Sequence, residues 1–155
     1  MLRSVSLKML VPVASAWAER EERHALRDGI ALTAKQLAVA ARIGVAHPRC
    51  VRLLAVERMP WPAPRAVLDF LMRRGAVPQR IAGLTLRYAI FLRKDCWEDR
   101  KLLAHELAHT AQYERLGGFR PFLRQYFDEW LTVGYPNGEL EREAERAVHK
   151  SCAHE

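Results

Sequence analysis

Residues 105–109 read His-Glu-Leu-Ala-His, and this short pattern constrains the fold more than any other part of the sequence. Histidines at positions i and i+4 lie one turn apart on the same face of an α-helix, so both imidazoles can approach a single metal ion. The opposite face of such a helix must be buried. Its apolar side chains are Leu102, Leu103, Leu107, Ala108 and Ala111. The pattern therefore predicts a long helix with one metal-facing side and one core-facing side.

The glutamate inside the pattern, Glu106, has a different expected role from the two histidines. Its side chain is too short and wrongly directed to join His105 and His109 as a ligand, but it can reach a water molecule bound to their metal ion. A carboxylate in that position accepts the proton of the water as a general base. The spacing thus indicates hydrolysis that depends on Zn²⁺, with His105 and His109 as metal ligands and Glu106 as the catalytic residue.

A catalytic zinc ion requires a third protein ligand, and the sequence offers several. The closely spaced three-histidine arrangement is excluded, because Arg115 stands where its third histidine would be. Glu141, which opens Glu-Arg-Glu-Ala, is the preferred ligand. The alternatives are Glu129, Glu143 and His149.

Hydrolysis of this kind also uses supporting residues around the ligands. Glu145, one helical turn after Glu141, could orient a ligand histidine. A donor is expected for the oxyanion that forms on the substrate carbonyl. Its candidates are Tyr126, Tyr135 and His149, and the sequence does not choose among them.

Hydrophobic periodicity and capping signals predict helices first, strands next and three helices last, which is an α+β, mostly helical plan. A strand at Leu84–Lys94 is expected to place Leu84, Leu86, Tyr88, Ile90 and Leu92 on one face. Asp95 and Glu98 have the spacing of a capping box before the His105 helix. The other predicted elements are helices at Val13–Arg27, after Thr33 as far as Gly44, at Ala66–Arg73 before Gly75, through His109 to Gly117, at Pro121–Thr132 and from Glu139, with a strand at Val51–Val56.

Composition and charge restrict the possible partners of this chain. The 155 residues carry a net charge of +7, but Lys and Arg are interspersed with Asp and Glu, so nucleic acid is an unlikely partner. No apolar run approaches the length of a membrane span. The three cysteines form no paired motif, and the apolar stretch after Lys8 is too short for a signal peptide. These features favour a cytoplasmic protein, with secretion as the alternative.

Three segments together resemble a known group of proteins. "LLAHELAHTAQYERLGG", "FLRQYFDEW" and "GYPNGELEREAERA" are similar to segments of small uncharacterised bacterial zincin-like proteins of the gluzincin type. The resemblance covers Leu84 to Val148. It implies a minimal zincin-like domain with a small β-sheet beside the HExxH helix, zinc on His105, His109 and Glu141, and Glu106 as base. It also implies peptide hydrolysis.

The sequence therefore predicts one zincin-like domain over residues 1–155, with a helical amino-terminal segment at 1–50 and a metal-site core at 84–150. The predicted function is that of a zinc metallopeptidase acting on a peptide or protein substrate through attack of zinc-bound water. The alternative is a non-catalytic module that contains zinc and binds another protein. Glu106→Gln separates them, because only the peptidase loses its function.

Overall fold

The structure is a computed structural model that describes residues 2–73, 78 and 80–152. Its helices are α1 (Leu2–Asp28), α2 (Ala34–Ile43), α3 (Arg65–Arg73), α4 (Arg100–Leu116), α5 (Phe119–Val133) and α6 (Glu139–Cys152). Its strands are β1 (Ile30–Ala31), β2 (Arg52–Val56), β3 (Gly83–Leu86) and β4 (Ala89–Arg93). The predicted α+β, mostly helical fold is confirmed. None of the described helices has the length and apolar character that a membrane span requires.

The four strands form one mixed sheet in the order β1-β2-β4-β3. β2 and β4 are parallel, whereas β1 pairs with β2 and β3 pairs with β4 in antiparallel fashion. β3 thus lies at one end of the sheet. α4 contacts both β3 and β4, so the helix with the two histidines lies against this end.

Side chains on the two faces of β4 enter different parts of the core. Phe91 packs in a cluster with Ala18 of α1 and Phe122 of α5. Ile90 packs in a second cluster with Leu103 and Leu107 of α4. Because successive side chains of a strand point to opposite faces, the sheet lies between α1 and α4. The predicted apolar face of the histidine helix is therefore buried against the sheet.

The predicted single strand at Leu84–Lys94 is wrong, because the chain reverses at Arg87 and Tyr88 and forms the β3–β4 hairpin. Leu86 pairs with Ala89 across this turn, so the alternation changes phase there. Leu84 and Leu86 contact the α1 cluster, whereas Ile90 and Leu92 lie in the α4 cluster, with Tyr88 packed against it. The five residues thus do not share one face of the sheet.

Some predicted helix boundaries also differ from the structure. α1 begins at Leu2 rather than Val13 and continues through Pro12. α4 is capped by Asp99, whose carboxylate accepts hydrogen bonds from the backbone N–H groups of Lys101 and Leu102. Asp95 instead binds the guanidinium groups of Arg80 and Arg93. The predicted capping box at Asp95 and Glu98 is therefore wrong.

Other local signals act as predicted. Thr33 forms a capping box with Gln36 at the start of α2, and Gly44 ends that helix in the left-handed conformation. Gly117 ends α4 in the same conformation. The short helix is present at Arg65–Arg73, while its predicted end signal, Gly75, lies outside the described residues.

Candidate metal centre

α4 carries the two histidines on one face of the helix, at the boundary between the protein surface and the interior. His105 is partly exposed and His109 is buried, and their Nε2 atoms lie 3.1 Å apart. This short separation follows from the i, i+4 spacing, since α4 is continuous from Arg100 to Leu116. Two ring nitrogens directed at the same point can be bridged by a proton or by a metal ion.

α6 brings the third group to this point. The Glu141 carboxylate is buried, with Oε2 3.1 Å from His105 Nε2 and Oε1 3.5 Å from His109 Nε2. Ligand atoms of these three residues all lie within 4.8 Å of one another, and among the described residues they form the one such group of histidine, cysteine or acidic side chains. The predicted set of His105, His109 and Glu141 is thus brought together.

The spacing of these atoms suits a small tetrahedral ion. With metal–ligand bonds of about 2.0–2.1 Å, neighbouring ligand atoms of a tetrahedral zinc site are about 3.3 Å apart. The two Nε2 atoms are 3.1 Å apart, and Glu141 places Oε2 3.1 Å from His105 Nε2 and Oε1 3.5 Å from His109 Nε2, which are close to that value. Two imidazoles and one carboxylate are also a donor set that catalytic zinc uses.

The ligand set is held by neighbouring side chains. Gln112 Oε1 lies 2.8 Å from His109 Nδ1, and its Nε2 donates to the backbone oxygen of Leu140 and to Glu143. Tyr126 donates its hydroxyl proton to Glu141 Oε1 at 2.8 Å. Gln112 lies on α4 beside His109 and links it to α6 through Leu140 and Glu143, while Tyr126 links Glu141 to α5, so the packing of α4, α5 and α6 fixes the geometry of the ligands.

The electrostatics of the buried group favour a charged carboxylate. Burial alone would raise the pKa of Glu141, but hydrogen bonds from His105, His109 and Tyr126 outweigh it, and the pKa lies well below its ordinary value. Burial alone would lower the pKa of His109, but the nearby Glu141 and Glu106 carboxylates raise it. The site therefore attracts positive charge, whether a proton or a metal cation.

The Glu106 side chain contacts the sheet. Its carboxylate is buried, and Thr85 of β3 donates its hydroxyl proton to Oε2 at 2.6 Å. Gly83 makes room for it, because a Cβ atom at position 83 would fall 2.8 Å from the Glu106 Cδ atom. The predicted base thus lies between α4 and the end strand of the sheet.

The alternative third ligands lie elsewhere. Glu129 of α5 accepts hydrogen bonds from Gln125 Nε2 at 2.8 Å and from the Leu140 backbone N–H at 3.0 Å, so it caps the start of α6. Glu143 binds Gln112 and Arg115. His149 is highly exposed and lies 3.6 Å from Glu145 Oε1. None of these three belongs to the histidine cluster within the described structure.

Of the predicted supporting residues, some lie beside the ligands and others do not. Glu145 Oε2 lies 3.8 Å from His105 Nδ1, and this carboxylate is mostly exposed. Tyr126 is already engaged with Glu141, and His149 lies on the solvent side of α6. Tyr135 lines a cleft beside Glu141, and partial burial together with the negative charge of Glu141 raises its pKa.

The cleft is shallow and half open and lies next to the ligand set; the space within it, open solvent included, is about 210 Å³. Its lining combines aromatic, acidic and glycine residues from α5, the following loop and the start of α6. These residues are Tyr126, Glu129, Trp130, Gly134, Tyr135, Gly138 and Glu141. Glu141 thus belongs both to the cleft and to the ligand set.

Comparisons of this chain with family models, with curated proteins and with solved structures find no match. The resemblance to gluzincin-type proteins therefore stays a prediction. Any function for the chain rests on the chemistry of the site.

Sequence reasoning missed three residues that hold the site: Gly83, Thr85 and Gln112. Gln112 lies three positions after His109, a helical spacing that could have indicated contact between the two side chains. Thr85 and Gly83 have no such signal, because Thr85 is 21 positions from Glu106 and meets it only through the packing of the hairpin on α4.

Proposed function

We propose that this chain is a zinc-dependent metallopeptidase in which His105, His109 and Glu141 hold the ion and Glu106 is the catalytic base. The observation that supports this most strongly is the convergence of two imidazole nitrogens and one buried carboxylate, with separations of 3.1 to 3.5 Å between each nitrogen and its neighbours. Three protein ligands leave a fourth coordination position open, as catalytic zinc sites do.

The chemistry of the residues fits amide hydrolysis. Zinc, when bound, polarises a substrate carbonyl and makes water acidic enough to lose a proton near neutral pH. Glu106 takes a proton from the attacking water and passes it to the nitrogen of the leaving amine. A C–O bond forms and the peptide C–N bond breaks. Thr85 holds Oε2 of Glu106, which leaves Oε1 for this proton transfer.

Tyr135 is the residue that we assign to the developing oxyanion. It lines the cleft next to Glu141, and it carries its proton at neutral pH because the ordinary pKa of a tyrosine hydroxyl is about 10. A neutral hydroxyl can donate a hydrogen bond to an oxygen that becomes negative in the transition state. Tyr126 is the weaker candidate, because its hydroxyl already donates to Glu141.

The substrate class follows from the position of β3. This strand ends the sheet and carries Gly83 and Thr85 against Glu106. The outer edge of such a strand offers backbone N–H and C=O groups that an extended peptide can pair with. A peptide aligned on β3 would pass the catalytic carboxylate, which favours an extended peptide or an unfolded protein segment as substrate.

The test combines metal content with hydrolysis. Elemental analysis of purified protein is expected to give about one zinc ion per chain in the wild type and in Glu129→Gln, which keeps an acceptor for the Leu140 N–H, and much less in His109→Ala and Glu141→Ala. Glu106→Gln is expected to keep its zinc but to lower the hydrolysis of a peptide library at least about 100-fold, since it cannot accept the proton. Glu98→Gln, which changes an exposed carboxylate just before α4, is the matched control and should keep both properties.

Two outcomes would contradict the proposal. Wild-type protein that binds no zinc even after reconstitution would mean that the three side chains hold a proton instead of an ion. Glu106→Gln protein that keeps its zinc and its biological function would instead indicate a non-catalytic zinc-containing interaction module.

A further inference from the structure

The cleft beside Glu141 has the position of a site for a small group of the substrate. It is a shallow, half-open recess, and the space of about 210 Å³ beside its lining residues includes open solvent. It shares Glu141 with the ligand set, so a group bound in it would lie next to the bond that the proposed peptidase cleaves. The lining of the cleft should therefore decide which side chain is accepted there.

The charge of the lining is negative, although the chain as a whole carries +7. Its acidic residues are Glu129 and Glu141, and it contains no lysine or arginine. Because Glu141 is the proposed metal ligand, Glu129 supplies the negative charge that a substrate group can meet. Glu129 accepts its two hydrogen bonds from uncharged donors, the Gln125 amide and the Leu140 backbone N–H. Within the described part of the chain, no cationic side chain forms an ion pair with it. Its negative charge is thus available to a ligand.

The remaining walls are aromatic. Tyr126 and Trp130 come from α5, and Tyr135 comes from the loop that precedes α6. The ordinary pKa of a tyrosine hydroxyl is about 10, so both rings are neutral at neutral pH. Aromatic faces attract an ammonium or guanidinium group, and an adjacent carboxylate strengthens the attraction. Aromatic walls beside a carboxylate with no cationic partner are suited to a cation rather than to an apolar or acidic side chain.

We propose that this cleft recognises a cationic group of the substrate, the side chain of a lysine or arginine next to the cleaved peptide bond, and that Glu129 and Trp130 provide the selectivity. The inference rests on the proposed peptidase function for its position in the reaction. Glu129 would then have two roles, because the same carboxylate caps α6 through Leu140 and faces the cleft.

The first experiment compares matched peptides on the zinc-loaded full chain. Peptides with blocked ends carry lysine, norleucine or glutamate next to one cleavable bond. Norleucine has almost the length of lysine without its charge. We expect kcat/KM for lysine to exceed that for norleucine by about tenfold and that for glutamate by more. A fourth peptide, with norleucine and a free amino terminus, tests whether an α-ammonium group can occupy the cleft instead. Cleavage of it at the rate of the lysine peptide would overturn the assignment to a side chain.

The variants test which residues provide the preference. Glu129→Gln keeps an oxygen that can accept from the Leu140 N–H but removes the charge, so the lysine-to-norleucine ratio should fall to about twofold or less. Trp130→Leu removes an aromatic wall and should also lower the ratio. Glu139→Gln changes an exposed carboxylate at the start of α6, the helix that Glu129 caps, and should leave the ratio unchanged. Melting temperatures measured on all three variants identify any loss of fold.

A binding measurement separates this inference from the proposed function. Binding of Nα-acetyl-lysine amide and of Nα-acetyl-norleucine amide is followed through the indole N–H resonance of Trp130, with and without zinc. We expect the lysine compound to bind more tightly in both conditions, and Glu129→Gln to remove the difference. Selective binding of the lysine compound without any hydrolysis would support the proposed recognition of a cation in the cleft and contradict the proposed peptidase function. Hydrolysis that depends on Glu106 but shows no lysine preference would contradict the proposed role of the cleft, although it would still support the proposed peptidase function. A lysine preference that Glu129→Gln leaves unchanged would contradict the role of the cleft in the same way.

Discussion

At the scale of single residues, Gln112 determines which nitrogen of His109 faces the other ligands. Its Nε2 donates to the Leu140 backbone oxygen and to Glu143, so its amide oxygen must face His109 Nδ1. That oxygen accepts a hydrogen bond from Nδ1–H, so Nε2 is the ring nitrogen that faces His105 and Glu141 and, when deprotonated, offers its lone pair to a metal ion. The tautomer that a metal ion requires is therefore set before the ion arrives.

Replacing Gln112 by leucine removes this control. We expect zinc affinity to fall about 10–100-fold in Gln112→Leu, the usual effect of losing a partner that orients a ligand. Competition with a chromophoric chelator measures it. Arg115→Leu is the matched control, since it removes another partner of Glu143 without touching His109. Equal affinities of Gln112→Leu and wild type would contradict the assigned role.

At the same scale, some residues of the site can be predicted from the sequence and others cannot. The i, i+4 spacing on one helix is a local property, so His105, Glu106 and His109 could be predicted from it. Glu141 could be selected only because the site needs a third ligand. Gly83 could not be found, because its function is to leave space for the Glu106 carboxylate, and an empty position has no pattern in the sequence.

At the scale of secondary-structure elements, the β3–β4 hairpin shows why one long strand was expected. Its turn consists of Arg87 and Tyr88, and Arg87 has a φ of 58°, a conformation that glycine or asparagine normally adopts in such turns. The sequence therefore contains no glycine or asparagine that would indicate a turn at these two positions. The turn is held from outside, because Glu22 of α1 accepts hydrogen bonds from the Arg87 guanidinium and the Tyr88 N–H. Thr110 of α4 donates to the Arg87 carbonyl.

This arrangement makes Glu22 important for stability although it is far from the ligand set in sequence. It is only 1% exposed, while the Arg87 side chain keeps partial contact with water. Glu22→Gln loses the charge of these hydrogen bonds, and we expect the free energy of unfolding to fall by about 1–3 kcal/mol. Urea denaturation measures this change. Glu21→Gln affects a longer, more exposed ion pair with Arg20 and should cost less than about 0.5 kcal/mol. Similar losses in both variants would argue against a specific role of Glu22 at the turn.

At the scale of the whole molecule, the ligand set joins two parts of the chain that are distant in sequence. His105 and His109 belong to α4, which packs on the sheet, and Glu141 belongs to α6. Local signals could predict each helix separately, but not the angle at which α6 approaches α4. That angle depends on contacts such as those of Gln112 with Leu140 and of Glu129 with the start of α6.

An ion bound between α4 and α6 must therefore stabilise the folded chain, because no such arrangement of ligands exists in the unfolded chain. At a free zinc concentration about 100 times the dissociation constant, the gain is about 2.7 kcal/mol, which corresponds to about 5–10 °C in melting temperature for a chain of this size. Removing zinc with a chelator is expected to lower the melting temperature of the wild type by that amount, and calorimetry or circular dichroism can follow it. His109→Ala should melt at the same temperature with and without the chelator. A wild-type melting temperature that does not respond to zinc would mean that packing alone holds α6 against α4, and that the ligand set is a hydrogen-bonded network rather than a metal site.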